Sequence, residues 1–223
     1  MYESIDERLF RPWRTPFCLL IGVLIHFTFL LASIPAEAQS LTYKIIWNGK
    51  LLGSMEADKK PFNQGYSYSF KSAVTVSFVK RFKIDYYSRC FYQKNDLQEA
   101  TTRNEVNGQR KDYSHTSKGG QGYVVNKNGK RSILNVSTIH HSLSTLYFQE
   151  PLQVSRIFSE RHAVMLPVEQ TAPHCYVITM PDGKKNTYWF ANGICAKAEV
   201  NLGFGKLFFI RQSYSTTSSL TLD

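Results

Sequence analysis

The sequence predicts a mainly β protein: a long, curved antiparallel sheet, a half-barrel-like meander, wrapped around one α-helix and preceded by a cleavable signal helix. Three observations predict it. Asn-Gly or Asp-Gly recurs five times between strand-like runs. Apolar and polar residues alternate with period two between those breaks. A single stretch switches to helical period.

In chain order, the leader comes first. Arg8, Arg11 and Arg14 precede an apolar run from Phe17 to Ile34, and Pro35-Ala36-Glu37-Ala38 follows. A cationic start, an apolar middle and small residues at an A-x-A site make a secretory signal, residues 1–38, cleaved before Gln39. The competing reading is an uncleaved membrane anchor, since the run approaches the roughly 20 residues of a spanning helix, but His26 and Thr28 interrupt it and the A-x-A site follows in place. The expected destination is the periplasm or the exterior, and the cleaved chain is not expected to be an integral membrane protein.

The whole chain carries 27 Lys+Arg against 17 Asp+Glu. The leader holds three basic residues and four acidic ones (Glu3, Asp6, Glu7 and Glu37), so the mature chain carries 24 against 13, a net charge of +11. A charge of this size bears on partners and solubility, not on fold. For an exported chain it points away from nucleic acid and toward anionic envelope components, such as lipid phosphates.

The hairpins come next. Asn48-Gly49, Asn107-Gly108, Asn128-Gly129 and Asn192-Gly193, with Asp182-Gly183, accept the positive φ angles of type I′ turns. Between the breaks, Tyr66, Tyr68, Phe70, Val74, Val76 and Phe78 share one face of a strand, and Phe82, Ile84 and Tyr86 share the same face of the next. A strand of thirteen residues spans about 43 Å and must coil, which favours a wrapped sheet. These nine residues are the candidate ligand-binding inner face.

The exception is NVSTIHHSLSTLYFQEP. Ile139, Leu143, Leu146 and Tyr147 fall at i, i+4, i+7 and i+8, which predicts one helix over 137–148, capped by Asn135 or Ser137. The rest reads as a single β-rich domain over 39–212, with a polar tail at 213–223.

Catalytic signatures are weak. After cleavage three cysteines remain, Cys90, Cys175 and Cys195, an odd number. Two-residue turns at Asp182-Gly183 and Asn192-Gly193 place Cys175 and Cys195 on one face but two strands apart, about 9.6 Å. That exceeds the roughly 4.4–6.8 Å Cα separation of a disulfide, so both are expected as buried free thiols. His140 and His141 are adjacent, and His115, His162 and His174 are scattered, without metal-site spacing. Ser77-Phe78-Val79-Lys80 matches S-x-x-K, but on a strand residues three apart face opposite ways. No catalytic residue, metal or cofactor is expected.

Charge placement is more informative. In a meander, alternate turns share one end of the sheet. Lys50, Lys80, Arg81, Lys83, Arg110, Lys111, Lys127, Lys130 and Arg131 would then form a basic rim at the mouth of an apolar trough. Such a rim suits an anionic lipid or envelope component.

YKIIWNGKLLG, SAVTVSFVKRFKIDYYSRCFY, LYFQEP, RIFSE and MPDGKKNTYWFANGI carry a resemblance. On them the chain, over Tyr43 to Gln212, resembles an uncharacterised family of exported bacterial β-proteins, a domain of unknown function. The resemblance brings no catalytic residues, and by fold analogy it implies a wrapped sheet like that of lipid carriers. The expectation is a non-enzymatic exported protein that binds an amphipathic ligand between sheet and helix. The alternatives are an envelope scaffold with a fully packed core and, third, a hydrolase.

Overall fold

A computed structural model describes residues 37–77, 81–202 and 205–212, with no account of the side chains of Val76 and Ser77. Residues 1–36 of the leader, Phe78, Lys80 and the polar tail lie outside the described residues. Those described fall within one compact unit, Glu37–Asp223.

Among the described residues, fourteen strands form it. They are β1 (Gln39–Trp47), β2 (Lys50–Phe62), β3 (Gly65–Ser77), β4 (Arg81–Gln93), β5 (Asp96–Val106), β6 (Gln109–Gly119) and β7 (Gly122–Lys127). Then come β8 (Lys130–Leu134), β9 (Arg156–Ser159), β10 (Val164–Ala172), β11 (Cys175–Thr179), β12 (Lys185–Ala191), β13 (Ile194–Asn201) and β14 (Lys206–Arg211). All pair antiparallel in one sheet, in the order β8-β7-β6-β5-β4-β3-β2-β1-β14-β13-β12-β11-β10-β9. Two meanders thus meet where β1 pairs with β14.

The turns carry the chemistry their residues demand. Both residues of Asn48-Gly49, Asn107-Gly108, Asn128-Gly129 and Asn192-Gly193 have positive φ, between 50° and 85° apart from Asn48 at 47°, the geometry whose twist matches paired strands. Asn63-Gln64 and Lys94-Asn95 do the same without a glycine. Asp182-Gly183 departs from expectation. Thr179 pairs with Lys185, so the connection is five residues long, and only Gly183 has positive φ (79°).

The sheet rolls without closing. Arg161, beside β9 at one end of the strand order, holds Asp112 on β6 near the other, with Nε to Oδ2 at 2.8 Å. Glu160 reaches Cys90 on β4. Register shifts at Ile45/Ile46, Phe91/Tyr92, Asn104/Glu105, Gln170/Ala172 and Trp189/Phe190 are bulges that add the required coiling. At Gly53, opposite Val74, a side chain would drive Cβ into the Ala73 carbonyl, so only glycine fits this close strand approach.

The predicted helix is a single turn. α1 spans Leu143–Leu146, and its N-cap is Ser142 rather than Asn135 or Ser137. Upstream, backbone groups that a helix would use internally are spent on the sheet. The Ile139 N–H donates to Asp96 Oδ1 at 2.9 Å, and Leu97 N–H donates to Ile139 O at 3.0 Å. His141 O accepts from Phe158 N–H, and Ser142 bridges Phe158 in parallel. Ile139, Leu146 and Tyr147 are nonetheless all buried. The apolar spacing marked interior positions, while at Ile139 tertiary hydrogen bonds take the backbone groups that a helix would have used. This segment and α1 lie on the inner face against β3, β4 and β9.

Candidate functional site: a cup with a polar floor

In the strand order, the connections after β1, β3, β5, β7, β9, β11 and β13 all fall at one end of the rolled sheet. The other end is filled. Tyr68 packs edge-on to Tyr92 at 5.6 Å and against Phe148 at 5.5 Å. Phe70 meets Tyr147 at 4.8 Å, and Tyr147 meets Tyr43 at 5.2 Å and Tyr188 at 6.2 Å. Tyr43 OH donates to the Cys195 carbonyl at 2.7 Å. These aromatic rings plug the interior.

Above the plug lies a cavity of about 620 Å³, a size usual for small-molecule sites. Its walls include Ile45, Trp47, Leu52, Met55, Val74, Ile84, Val106, Leu207 and Phe209. Phe82, 40% exposed, stands at the open end. Along β4, the stretch from Phe82 to Ser88 runs about 20 Å.

Of the nine inner-face candidates, Phe70, Val74, Phe82, Ile84 and Tyr86 line this cavity. Tyr66 and Tyr68 do not. They pair with Tyr92 and Cys90 toward the filled end, where Lys59 lies 4.3 Å from the Tyr66 ring centroid. Val76 opposes Phe82 in the backbone register.

The rim candidates sit mostly around the open end, by register. Lys50 follows the β1–β2 turn, Arg81 opens β4, and Lys130 and Arg131 follow the β7–β8 turn, all exposed. Others are engaged. Lys83 pairs with Asp85 at 3.2 Å, Arg110 lies over Tyr113 at 5.4 Å, and Lys111 donates to Gln109 at 3.1 Å. Lys127 is half-buried. Lys206, which the sequence reading did not place here, joins this end and pairs with Glu199 at 2.6 Å.

The floor is where sequence reasoning missed most. Ser88, Ser144, Ser159 and Glu160 line the cavity's deep side, and Glu160 is 3% exposed. Glu160 Oε1 accepts from Ser144 N–H at 2.8 Å and from the Cys90 thiol at 3.4 Å. Ser88 and Ser144 hydroxyls meet at 3.4 Å, and the Cys90 thiol also reaches Ser144 Oγ at 3.4 Å. Burial, with the negative charge of Glu160 behind it, pushes the Cys90 thiol well above its ordinary value. The same causes raise Tyr86. His162, also lining the cavity, is held below its usual value by burial and by Lys127 and Arg161. No period or motif marks Glu160: it follows a four-residue strand whose Ile157, Phe158 and Ser159 are all buried, so alternation is lost.

Cys90, Cys175 and Cys195 are free and buried. The geometry expected for two of them needs correction. The longer loop at 180–184 shifts the register by one, so Cys175 opposes Trp189, not Phe190. Phe190 opposes Cys195. Because Trp189 alternates with the buried Tyr188 and Phe190, the two thiols occupy opposite faces. Burial lifts the Cys195 thiol to about 12.

Among the described residues no helix is long and apolar enough to cross a membrane. Among the described residues, no group of three or more His, Cys, Asp or Glu side chains is arranged to hold a metal ion.

A crystal structure described as a beta-barrel-like protein of domain of unknown function DUF1849 from Brucella abortus shares the fold. Its TM-score is 0.53 at 11% identity, over 78% of this chain and 95% of that one. No curated protein matches. The model of the domain of unknown function DUF6134 matches residues 43–212. With most of its length inside that match, the chain belongs to the DUF6134 family.

Proposed function

We propose that this protein is a non-enzymatic, exported carrier that holds an amphipathic, lipid-like ligand in the cup between sheet and α1. It needs no cofactor, and its basic end meets anionic lipid or another anionic envelope component. The observation that carries this reading is the cavity itself, about 620 Å³ of largely apolar wall opening at the end where exposed cations gather.

The physical case is simple. A rolled sheet with this many inward apolar residues would ordinarily pack shut, because filling a void recovers dispersion contacts. Here Phe82 and the half-buried Ile84, Val106 and Leu207 line a cavity instead. Long apolar walls without internal filling suit a guest that supplies the missing contacts. The same space argues against the alternative, a scaffold with a fully packed core. The leader accounts for export, and the basic surface for attraction to phosphate-bearing membranes.

The test is extraction. Protein expressed with its leader and purified without detergent is weighed by native mass spectrometry, then extracted with organic solvent. Co-purified amphiphile, lost on extraction, is the expected result. A single apo mass that no added lipid shifts would sink the reading.

A further inference from the structure

The cup has a floor that a purely apolar ligand would leave unsatisfied. Both hydrogen bonds of Glu160 fall on Oε1. Among the described residues Oε2 accepts none, and no Lys or Arg pairs with this carboxyl. The nearest guanidinium in sequence, Arg161, is committed to Asp112 at 2.8 Å. Glu160 is almost completely buried yet lines the cavity beside the Ser88 and Ser144 hydroxyls. Oε2 is not sealed in the core but opens on the cavity, where a donor entering the cup can reach it.

We infer that the free oxygen of Glu160, flanked by Ser88 and Ser144, seats the hydrogen-bond-donating end of the ligand. The cup therefore takes a long-chain alcohol or amine with its polar end down, in preference to a carboxylate. This rests on the carrier reading and deepens it by naming the ligand's buried end.

The surroundings agree. An incoming carboxylate would face Glu160 across a low-dielectric floor, where like charges repel strongly. Oε1 is already pinned by a backbone N–H from α1 and a thiol from β4, so the carboxyl is held in place before any ligand arrives. The remaining polar lining offers an anion little. Arg161 is neutralised by Asp112, and His162 is held below its usual pKa. The apolar walls above, about 20 Å from Phe82 to Ser88, suit an extended chain.

The experiment compares dodecylamine, dodecanol and dodecanoate at matched chain length, using native mass spectrometry and the emission of Trp47, which lines the cavity. The amine and the alcohol should each bind about 10-fold or more tighter than dodecanoate. The overall positive charge of the protein favours the anion, so this order cannot arise from net charge. In Glu160→Gln, which keeps an acceptor but loses the charge, dodecylamine should weaken about 10-fold while dodecanol stays within about 3-fold. Dodecanoate binding as tightly as the others overturns the inference and leaves the carrier reading standing. So does an equal loss of all three ligands in a folded Glu160→Gln. Binding of none overturns both. If the variant does not fold, the wild-type ranking decides alone.

Discussion

The backbone N–H of Ile139 meets Oδ1 of Asp96 at 2.9 Å. That bond fastens the segment crossing the interior to the filled end of the sheet. The same oxygen accepts Tyr123 OH at 2.6 Å, and Lys118 pairs with Oδ2. One buried carboxylate thus joins β5, β6, β7 and the approach to α1. Asp96→Ala leaves the buried Tyr123 phenol without its acceptor and the Ile139 N–H with only its 3.2 Å bond to Tyr123 OH, and should cost about 2–4 kcal/mol in urea denaturation. Asp96→Asn keeps an acceptor oxygen and should cost less.

Two phenylalanines on one inner face should behave differently. Phe70 is 5% exposed and packed against Tyr147, whereas Phe82 is 40% exposed at the opening. Phe70→Ala should lose about 3–5 kcal/mol by opening a void in the plug. Phe82→Ala should lose under about 1 kcal/mol while weakening retention of a bound amphiphile, read by native mass spectrometry. Equal stability losses would show that the cavity is not where the structure puts it.

Charge reversal tests the basic end. Lys50→Glu with Arg81→Glu changes two exposed cations beside adjacent turns. Co-sedimentation with vesicles of anionic phospholipid at low salt should fall about tenfold or more, at about 1 kcal/mol per cation near the surface. Binding to zwitterionic vesicles should not change. Loss of the effect in high salt is part of the prediction.

Alkaline stability follows from the buried thiols and phenols. Burial raises Cys195 from an ordinary 9.0 to about 12, and raises Cys90, Tyr147 and Tyr188 as well. These groups stay protonated in the fold while their unfolded counterparts ionise. Their contribution is complete below pH 9 and is lost as pH rises from there through about 12. Ellipticity should hold to about pH 9 and then collapse cooperatively. Native Cys90 and Cys195 should resist thiol reagents until that collapse.

The strands were legible because their signals are local. Asn-Gly pairs at Asn48, Asn107, Asn128 and Asn192 need only two residues to choose a turn, and alternation along Gly65–Ser77 needs only a neighbour on either side. Where a longer-range choice intervened, the reading failed. Nothing in Pro181-Asp182-Gly183 distinguishes a two-residue turn from the longer loop that moved Cys175 opposite Trp189. Nothing in Ile139 to Ser142 reveals that Asp96, Leu97 and Phe158 would take its backbone bonds and leave α1 a single turn.

The sequence by itself determined the antiparallel strands, their inward faces and the end at which the cations gather. Each of these follows from the side-chain period of a strand and the twist of a turn. Only the tertiary structure decided that the sheet rolls far enough to bring Glu160 beside Cys90 and Ser144, and that a cavity stays open above them. Rolling sums small twists and bulges over fourteen strands. Which buried acid meets which serine depends on that sum, which no local pattern of residues contains.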